Sequence, residues 1–124
     1  MRTIGKGFTM IELMVALAIV AMLLTLVAPR YLHQEAKARD AALLYNLNML
    51  RKTIDDFHAD KGYYPENLQA LVEMRYLRAI PVDPITGRAD TWVPSPPQNH
   101  GNGVHDVHSG ARERAIDGTR YADW

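Results

Sequence analysis

The chain of 124 residues contains no cysteine, so no disulfide bond can stabilise it. Small domains without disulfides depend on core packing, a bound metal or association with other chains. An excess of either charge is also lacking, because 14 basic side chains balance 14 acidic ones, which gives no general argument for nucleic acid as a partner. There is no internal repeat and no nucleotide-binding signature, and the length allows one small domain beside an apolar run.

A catalytic constellation is lacking as well. Ser109, Asp106, His105 and His108 are the residue types of a nucleophilic triad. Neither a nucleophile elbow nor a glycine-rich oxyanion site surrounds the serine, however. We therefore expect a protein that is not an enzyme.

The C-terminal part contains neither a convincing zinc site nor a strong DNA-binding patch. His100, His105 and His108 are zinc-ligand types, but the last two would point to opposite faces of a shared strand, so we expect surface histidines. The arginines nearby form only a weak basic patch because acidic residues lie among them. These residues are Arg112, Glu113, Arg114, Asp117 and Arg120. We expect no nucleic-acid partner.

The most prominent feature is a long apolar run over residues 8–28, in which Glu12 is the only charged residue. A helix of 21 residues rises by about 30 Å, the thickness of the hydrocarbon core of a bilayer. Basic residues such as Arg2 and Lys6 before a span hold that end in the cytoplasm. The run is too long for a secretory signal peptide. We predict a single-pass membrane helix, in contact with lipid, with the rest of the chain across the membrane.

Glu12 lies near the start of this span, where an unpaired carboxylate is costly. Nothing else in the span can pair with it. If the peptide bond after Gly7 were cut, the free amine of Phe8 in one chain could meet Glu12 of a neighbouring copy. The alternative is an uncut anchor in which Glu12 lies at the headgroup level and points back to water.

Residues 30–58 contain no glycine or proline and predict that the helix continues past Pro29. Apolar residues at intervals of four and three place one face against a domain. They are Leu43, Leu47, Leu50, Ile54 and Phe57. The polar residues between them predict a solvated face, formed by Asn46, Asn48, Arg51, Lys52, Asp55 and Asp56. Gly62 suits the position just after the helix end.

A short helix and a small sheet are predicted beyond Gly62. Residues 66–73 have an apolar edge, and Pro65 fits the first position of that helix. Residues 91–94 and 104–109 predict two strands, and residues 119–124 either a third strand or a C-terminal strap. Candidates for the buried face of the sheet are Trp92, Val93, Val104 and Val107. The predicted fold class is α+β, with a long N-terminal helix packed on a small antiparallel sheet.

The apolar run opens with Gly7-Phe8-Thr9-Met10-Ile11-Glu12-Leu13-Met14, and Pro29 follows it. This pattern resembles the class III signal of type IV pilins and of the pseudopilins of type II secretion. The resemblance implies the type IV pilin-like fold, cleavage by a prepilin peptidase between Gly7 and Phe8, and N-methylation of Phe8. It implies that Phe8, Glu12 and Pro29 serve assembly, with a kink or a melted turn around residues 24–29.

A second likeness lies in the segment after the long helix. Its residues are Gly62-Tyr63-Tyr64-Pro65, Leu68, Leu71, Tyr76-Leu77, Ile80-Pro81 and Asp83-Pro84-x-x-Gly87. They resemble the αβ-loop of the major pseudopilin of type II secretion, which is much less characteristic of ordinary pilins. The absence of cysteine favours the same branch, because many adhesive type IV pilins have a C-terminal disulfide loop.

This resemblance implies a structural subunit of the type II secretion pseudopilus, a polymer that drives export of folded proteins across the outer membrane. The implied partners are further copies of the chain, other pseudopilins and an inner-membrane assembly platform. The implied location is the bacterial inner membrane, with the N-terminus cytoplasmic and the head periplasmic, and a periplasmic filament after assembly. The alternative is a major or minor subunit of a type IV pilus.

A calcium site is the last implication. Asp106-Val107-His108-Ser109 resembles the Asp-x-x-Ser segment of the major pseudopilins, whose neighbouring loop binds Ca²⁺. Asp106, Ser109 and Asp117 carry the oxygen ligands that this ion takes. The Gly-Ala-Asp-Gly continuation of the family is replaced here by a stretch with Arg112 and Arg114, which disfavours a cation. The alternative is that these acids cap turns and pair with Arg112, Arg114 or Arg120.

The expected organisation is a leader peptide at residues 1–7, a transmembrane half-helix at 8–28 and a periplasmic head at 29–124. Within the head we expect an amphipathic helix at 29–59, an αβ-loop with its short helix at 60–90, and a small sheet with a C-terminal loop at 91–124. A mixed-charge band just after the span is either a solvated surface or a set of intersubunit ion pairs; it comprises Arg30, His33, Glu35, Lys37, Arg39 and Asp40.

Overall fold

The computed structural model describes residues 7–99 and 101–124. Arg2, Lys6 and His100, which entered the predictions above, lie outside the described residues. The elements in chain order are helix α1 (Met10–Lys61), helix α2 (Leu68–Glu73), strand β1 (Val93–Ser95), strand β2 (Asp106–His108) and a 3-10 helix (Tyr121–Asp123). This is the predicted α+β class, with a long N-terminal helix and a two-stranded antiparallel sheet among the described residues. The chain divides into two units, one up to Glu35 and one from Ala36 to Trp124.

The first unit holds the N-terminal part of α1. Thr9 caps this helix, because its Oγ1 accepts a hydrogen bond from the N–H of Glu12 at 3.1 Å and its carbonyl accepts one from Leu13 at 3.0 Å. The backbone is helical through Pro29, although a proline removes one backbone hydrogen bond. The single chain therefore shows no melted turn before Pro29, and melting stays an expectation for the assembled filament.

The second unit contains the core, to which α1 contributes one continuous face. The five residues that the spacing pattern placed on that face are each at most 1% exposed, which confirms the prediction: Leu43, Leu47, Leu50, Ile54 and Phe57. The helix ends at Lys61 as expected. Gly62 follows with a φ of 79° and donates its N–H to the carbonyl of His58 at 2.8 Å.

The polar face of α1 is not fully solvated, so the sequence prediction was wrong for two of its members. Asn46 donates its side-chain amide to the carbonyl of Val82 at 3.1 Å. Arg51 is 29% exposed in its side chain and reaches Asp106 at 2.8 Å. Both partners are distant in sequence, by 36 and 55 residues, so a local pattern could not indicate them.

Helix α2 begins later than predicted. Its N-cap is Asn67, whose side-chain oxygen accepts a hydrogen bond from the N–H of Ala70 at 2.8 Å, and Pro65 lies before the helix instead of at its first position. The helix ends in a Schellman motif, in which Tyr76 donates to the carbonyl of Leu71 at 2.8 Å. Arg75 occupies the left-handed position of that motif, with a φ of 65°.

The sheet pairs β1 with β2 in antiparallel register, with Val93 opposite His108 and Ser95 opposite Asp106. Three of the four residues predicted for its buried side, Trp92, Val104 and Val107, are buried, but Val93 is 50% exposed. Adjacent residues of a strand point to opposite faces, so Trp92 and Val93 cannot both face the core.

The C-terminal residues do not add a strand to this sheet. Residues 121–123 form the 3-10 helix, and a single antiparallel bridge joins Arg114 to Arg120. Tyr121 is buried and packs edge-on against Trp124, with ring centroids 5.1 Å apart. Of the two alternatives for residues 119–124, the strap describes the observed structure.

Candidate functional site

The first candidate site is the start of α1, where the resemblance placed cleavage and assembly. Gly7, Phe8 and Thr9 precede the helix, and the side chain of Phe8 is 84% exposed. The peptide bond between Gly7 and Phe8 therefore lies outside regular structure. Glu12 lies in the first turn of α1, where a negative charge is favoured by the helix dipole.

The N-cap at this end of α1 fixes the backbone of Glu12 by a hydrogen bond. Thr9 and Glu12 are three residues apart, and the hydroxyl of Thr9 accepts the N–H of Glu12. This is half of a capping box, a motif that fixes the direction in which a helix begins. Among the described residues, no ion pair joins Glu12 to another side chain of the same chain.

The apolar side chains that follow are exposed along the whole helix. From Phe8 to Val27, the large apolar residues are each more than half exposed in the single chain. Within the described residues, α1 is the helix that is long and apolar enough to cross a membrane, judged by length and composition. Burial of this surface is strongly favourable, at about 25 cal/mol per Å². Lipid or further copies of the chain can supply that burial.

Pro29 lies within α1 and is also exposed. Its expected role in assembly stays a prediction.

A second candidate site is the proposed calcium site, and Asp106 is its first member. Asp106 Oδ1 accepts a hydrogen bond from Arg51 Nε at 2.8 Å and one from the N–H of Val107 at 2.7 Å. Partial burial raises the pKa of Asp106, but the Val107 N–H and the Arg51 guanidinium outweigh burial and hold the pKa below its ordinary value. A guanidinium thus already neutralises this carboxylate.

The other two calcium candidates have different partners. Ser109 donates its hydroxyl proton to Asp83 Oδ2 at 2.5 Å and accepts the N–H of Ala111 at 3.1 Å. Asp117 accepts hydrogen bonds from the hydroxyl and the N–H of Thr119, at 2.6 and 2.9 Å, which lowers the pKa of Asp117.

As arranged in the chain, these residues do not fit a calcium ion. Ca²⁺ takes six to eight oxygen ligands converging on one point. In the part of the chain that the structure describes, no group of three or more acidic, histidine or cysteine side chains is placed to hold a metal. The three candidates instead cap a turn, pair with an arginine and bond a second carboxylate. The alternative from the sequence is right about the turn cap and the arginine pair, but the arginine is Arg51 and not Arg112, Arg114 or Arg120.

Arg51 holds the head together at this point. Besides Asp106, its Nη2 donates to the carbonyl of Val107 at 3.0 Å and to that of Trp124 at 2.6 Å. His108 reaches the same Trp124 oxygen through Nδ1 at 2.8 Å. One side chain of α1 therefore fixes strand β2 and the C-terminal residues together.

The residues with triad-type side chains, led by Ser109, are not arranged for catalysis. Ser109 is buried, and its hydroxyl bonds Asp83 instead of a histidine. His105 is exposed and packs edge-on against Tyr64, with ring centroids 5.2 Å apart. The partner of the Ser109 hydroxyl is a buried carboxylate and not a histidine, so the arrangement does not match a Ser–His–acid triad.

Two structural residues of the head escaped the sequence analysis. Asp83 is fully buried and accepts N–H groups from Ile85 at 2.8 Å and Thr86 at 3.4 Å, besides the hydroxyl of Ser109. Its position before a proline and four residues before Gly87 signals a turn, but the sequence gives no sign of Ser109 as a partner. Asp40 was assigned to the mixed-charge band, yet it accepts the hydroxyl of Tyr121 at 2.5 Å.

Comparisons with known proteins match these features. Residues 5–28 match the family described as the prokaryotic N-terminal methylation motif. Type II secretion system core protein G of Klebsiella michiganensis is 30% identical, over 87% of this chain and 84% of the relative. The protein of the same name from Dickeya chrysanthemi is 26% identical, over 90% of this chain and 73% of the relative.

Pilus subunits are similar over shorter stretches. Type IV major pilin protein PilE1 of Neisseria gonorrhoeae is 32% identical over 71% of this chain, and the match covers only 38% of that pilin. No solved structure matches the chain.

Proposed function

We propose, since the chain belongs to the family of type II secretion system core protein G, that it is a structural subunit of a type II secretion pseudopilus. The relatives are pilins and pseudopilins, so the chain is a pilin-like subunit of a secretion or pilus filament. The finer assignment to the secretion branch is supported by the coverage of the core protein G relatives, which extends over most of both chains.

The observation that carries the proposal is the exposure of the apolar part of α1 beside a self-contained head. The second unit has its own buried core, whereas the large apolar residues from Phe8 to Val27 are each more than half exposed in the single chain. Such a helix is stable in lipid before assembly, and packing among many copies gives an equivalent environment in a filament.

Processing prepares the chain for transfer of its apolar helix from lipid to the filament. Arg2 and Lys6 keep the N-terminus cytoplasmic while the head lies in the periplasm. Prepilin peptidase cuts between Gly7 and Phe8, and the new N-terminal Phe8 is methylated. The methylated amine keeps its positive charge and pairs with Glu12 of a neighbouring copy in the apolar core of the filament.

The filament then acts mechanically. Subunits add at an inner-membrane assembly platform together with other pseudopilins, and the growing periplasmic polymer pushes folded cargo towards an outer-membrane channel. The energy comes from elsewhere, because this chain has no nucleotide-binding signature. The chain itself supplies the anchor, the pairing residues and a rigid head.

The second candidate function is a type IV pilus subunit. It is favoured by the pilin relatives, which include the PilA4 component of the wide pilus of Thermus thermophilus, 33% identical over 56% of this chain. Deletion of the gene distinguishes the two candidate functions. A pseudopilin deletion leaves secreted proteins in the periplasm and surface pili intact, whereas a pilin deletion removes pili and leaves secretion intact.

Mass spectrometry of the mature chain tests the shared premise. We expect the mass of residues 8–124 plus one methyl group on Phe8. The control is a chain with Gly7 replaced by a bulky residue, which should keep residues 1–7 and an unmodified Phe8. An intact Met1 in the membrane-extracted wild-type chain would overturn the proposal.

A further inference from the structure

A rigid loop near the C-terminus presents two arginines side by side. Arg114 and Arg120 are partners in an antiparallel bridge, and the loop between them is closed by hydrogen bonds from Ala115 to Thr119 at 2.8 Å and from Gly118 to Ala115 at 3.0 Å. Directly opposite residues of an antiparallel pair project to the same face. The two guanidinium groups therefore emerge on one side of the loop.

The loop is held firmly on the head. Tyr121 is buried, and its hydroxyl donates to Asp40 Oδ1 at 2.5 Å, while Asp40 Oδ2 accepts the N–H of Ile116 at 3.5 Å. Ala115 is buried as well. The arginines on this loop are thus carried by an anchored frame, and a site on such a frame needs little ordering when it binds.

A third arginine lines the same cavity as Arg114 and Arg120. Arg112, Arg114 and Arg120 line one cavity of about 390 Å³, which we call the arginine groove. Its other lining residues are small or apolar: Val93, Ser109, Gly110, Ala111 and Ala122. No acidic side chain belongs to this lining among the described residues.

Two of the three positive charges have only weak partners among the described residues. Arg114 donates to the uncharged carbonyl of Gly118 at 2.9 Å. Arg120 has an acidic neighbour only at 4.0 Å, where Asp123 and Arg120 are both exposed. Like charges placed directly opposite in a bridge are destabilising, and a guanidinium has five N–H donors. The arrangement leaves most of these donors available to a negative group from outside.

We propose that the arginine groove receives acidic side chains of a second copy of this chain in the assembled filament. The inference rests on the proposed function, because it requires polymerisation. The groove matches carboxylates, since the planar fork of a guanidinium binds a carboxylate through two parallel hydrogen bonds.

Charge complementarity identifies the occupant. Residues 8–124 contain 12 basic and 14 acidic side chains, so that without these three arginines nine basic side chains face 14 acidic ones. A second copy therefore offers exposed acidic side chains to the groove, among them Asp55, Glu66 and Glu73. In a filament that copy is present at every position along the polymer, which gives a weak ion pair a high effective concentration.

Charge substitution in the full-length chain tests the groove. Arg114→Gln and Arg114→Glu should reduce the amount of sedimentable filament in that order, and the double variant with Arg120→Glu should lower it about tenfold. Arg78→Glu, an exposed arginine outside the groove, is the matched control and should assemble normally. Equal filament yields for wild type and the double Glu variant would overturn the proposal.

Cysteine protection gives an independent readout, because the chain has no native cysteine. Ala122→Cys places one thiol in the groove lining, and Ala79→Cys places one in a different cavity. We expect a maleimide to label Cys at position 122 readily in detergent-dispersed subunits and much more slowly in filaments. Equal labelling in both states would show that the groove stays open. Failure of the wild-type chain to form any filament would instead overturn the proposed function, and the occupant of the groove with it.

Discussion

Ser109 donates its hydroxyl proton to the fully buried Asp83 across 2.5 Å, and this hydrogen bond joins two loops that are 26 residues apart in the sequence. Asp83 also closes its own turn, since its N–H donates to the carbonyl of Arg88 at 2.9 Å and its carbonyl accepts the N–H of Gly87 at 2.8 Å. A buried carboxylate is tolerated when each oxygen has donors. In a head without disulfides, this contact connects the segment after α2 to the segment after β2.

Removal of the Ser109 hydroxyl should destabilise the head. Ser109→Ala leaves a buried carboxylate with one donor fewer, at a cost of about 1–3 kcal/mol. The unfolding temperature should fall by several degrees, as expected for a unit of this size. Fluorescence of Trp92 and Trp124, the two tryptophans of the chain, reports this unfolding in the detergent-solubilised full-length chain. Ser95→Ala, at a half-buried position on β1, is the control and should leave the temperature nearly unchanged.

Loss of Arg51 should destabilise the head to a similar extent, and Ca²⁺ should not restore the lost stability. Arg51→Ala removes hydrogen bonds to Asp106, Val107 and Trp124, and we expect it to cost about 2 kcal/mol. Lys52→Ala removes an exposed ion pair with Asp56 and should leave the unfolding temperature nearly unchanged.

The same unfolding measurement, with and without Ca²⁺, checks the fit of that ion. Because a guanidinium already neutralises Asp106, we expect the unfolding temperature of the wild-type chain to be insensitive to Ca²⁺ and to chelator. A rise of several degrees on addition of Ca²⁺ would contradict the geometry described for Asp106, Ser109 and Asp117.

The sequence was most informative where one local pattern carried the whole signal. The spacing from Leu43 to Phe57 identified the buried face of α1 because burial on a helix repeats with the helix period. Gly62 marked the end of α1 because few other residues take a φ of 79° without strain. The signature from Gly7 to Glu12 identified the family for the same reason, since its residues are contiguous.

The parts that escaped prediction depend on distant partners. Arg51 resembled a solvent-exposed residue because it is charged and belongs to the polar positions between the apolar ones, and its acceptors lie 55 to 73 residues away. Asp83 resembles an ordinary turn residue in the sequence, because its partner Ser109 lies 26 residues away. The strand predicted at 104–109 was too long at both ends, and the one predicted at 91–94 began two residues early and ended one residue early. Three-residue strands leave almost no alternation to detect.

Arg75 offers a stabilising substitution. Its φ of 65° lies in the left-handed region, where glycine is favoured over residues with a Cβ atom. Arg75→Gly should stabilise the head by about 0.5–1 kcal/mol, because relief of this strain exceeds the added freedom of the unfolded chain. Arg78→Gly, which has no such φ, should be neutral or slightly destabilising in the same thermal assay. A lower unfolding temperature for Arg75→Gly would show that its side chain makes a more important contribution.

Tyr121 should make the head sensitive to alkaline pH. Burial, followed by the hydrogen bond to Asp40, raises the pKa of Tyr121 from 10.0 to about 12. The folded state therefore binds this proton more tightly than the unfolded state. The contribution to stability is complete below about pH 10 and is lost as the pH rises towards 12. The unfolding temperature of Tyr121→Phe should be lower at neutral pH but should fall less steeply across this window. Tyr45→Phe, at an exposed position, should keep the wild-type slope.

Glu12 should be required for assembly and dispensable for membrane insertion. An unpaired acid in a membrane helix costs about 2.5–3.5 kcal/mol. Pairing with the Phe8 amine of a neighbour removes that cost in the filament, so Glu12 favours the filament over the lipid. Glu12→Ala and Glu12→Gln lose this preference and should reduce filament yield by roughly a hundredfold, while fractionation still finds the processed chain in the membrane.

A double substitution distinguishes this pairing from an anchor in which Glu12 only contacts water. A bulky residue at Gly7 blocks cleavage, so the Phe8 amine never forms and assembly should fail as it does for Glu12→Gln. If the amine and the carboxylate act on each other, the combined variant should be no worse than either single one, because each removes the same interaction. Additive losses, or normal filaments from Glu12→Gln, would mean that the carboxylate is not paired with the amine.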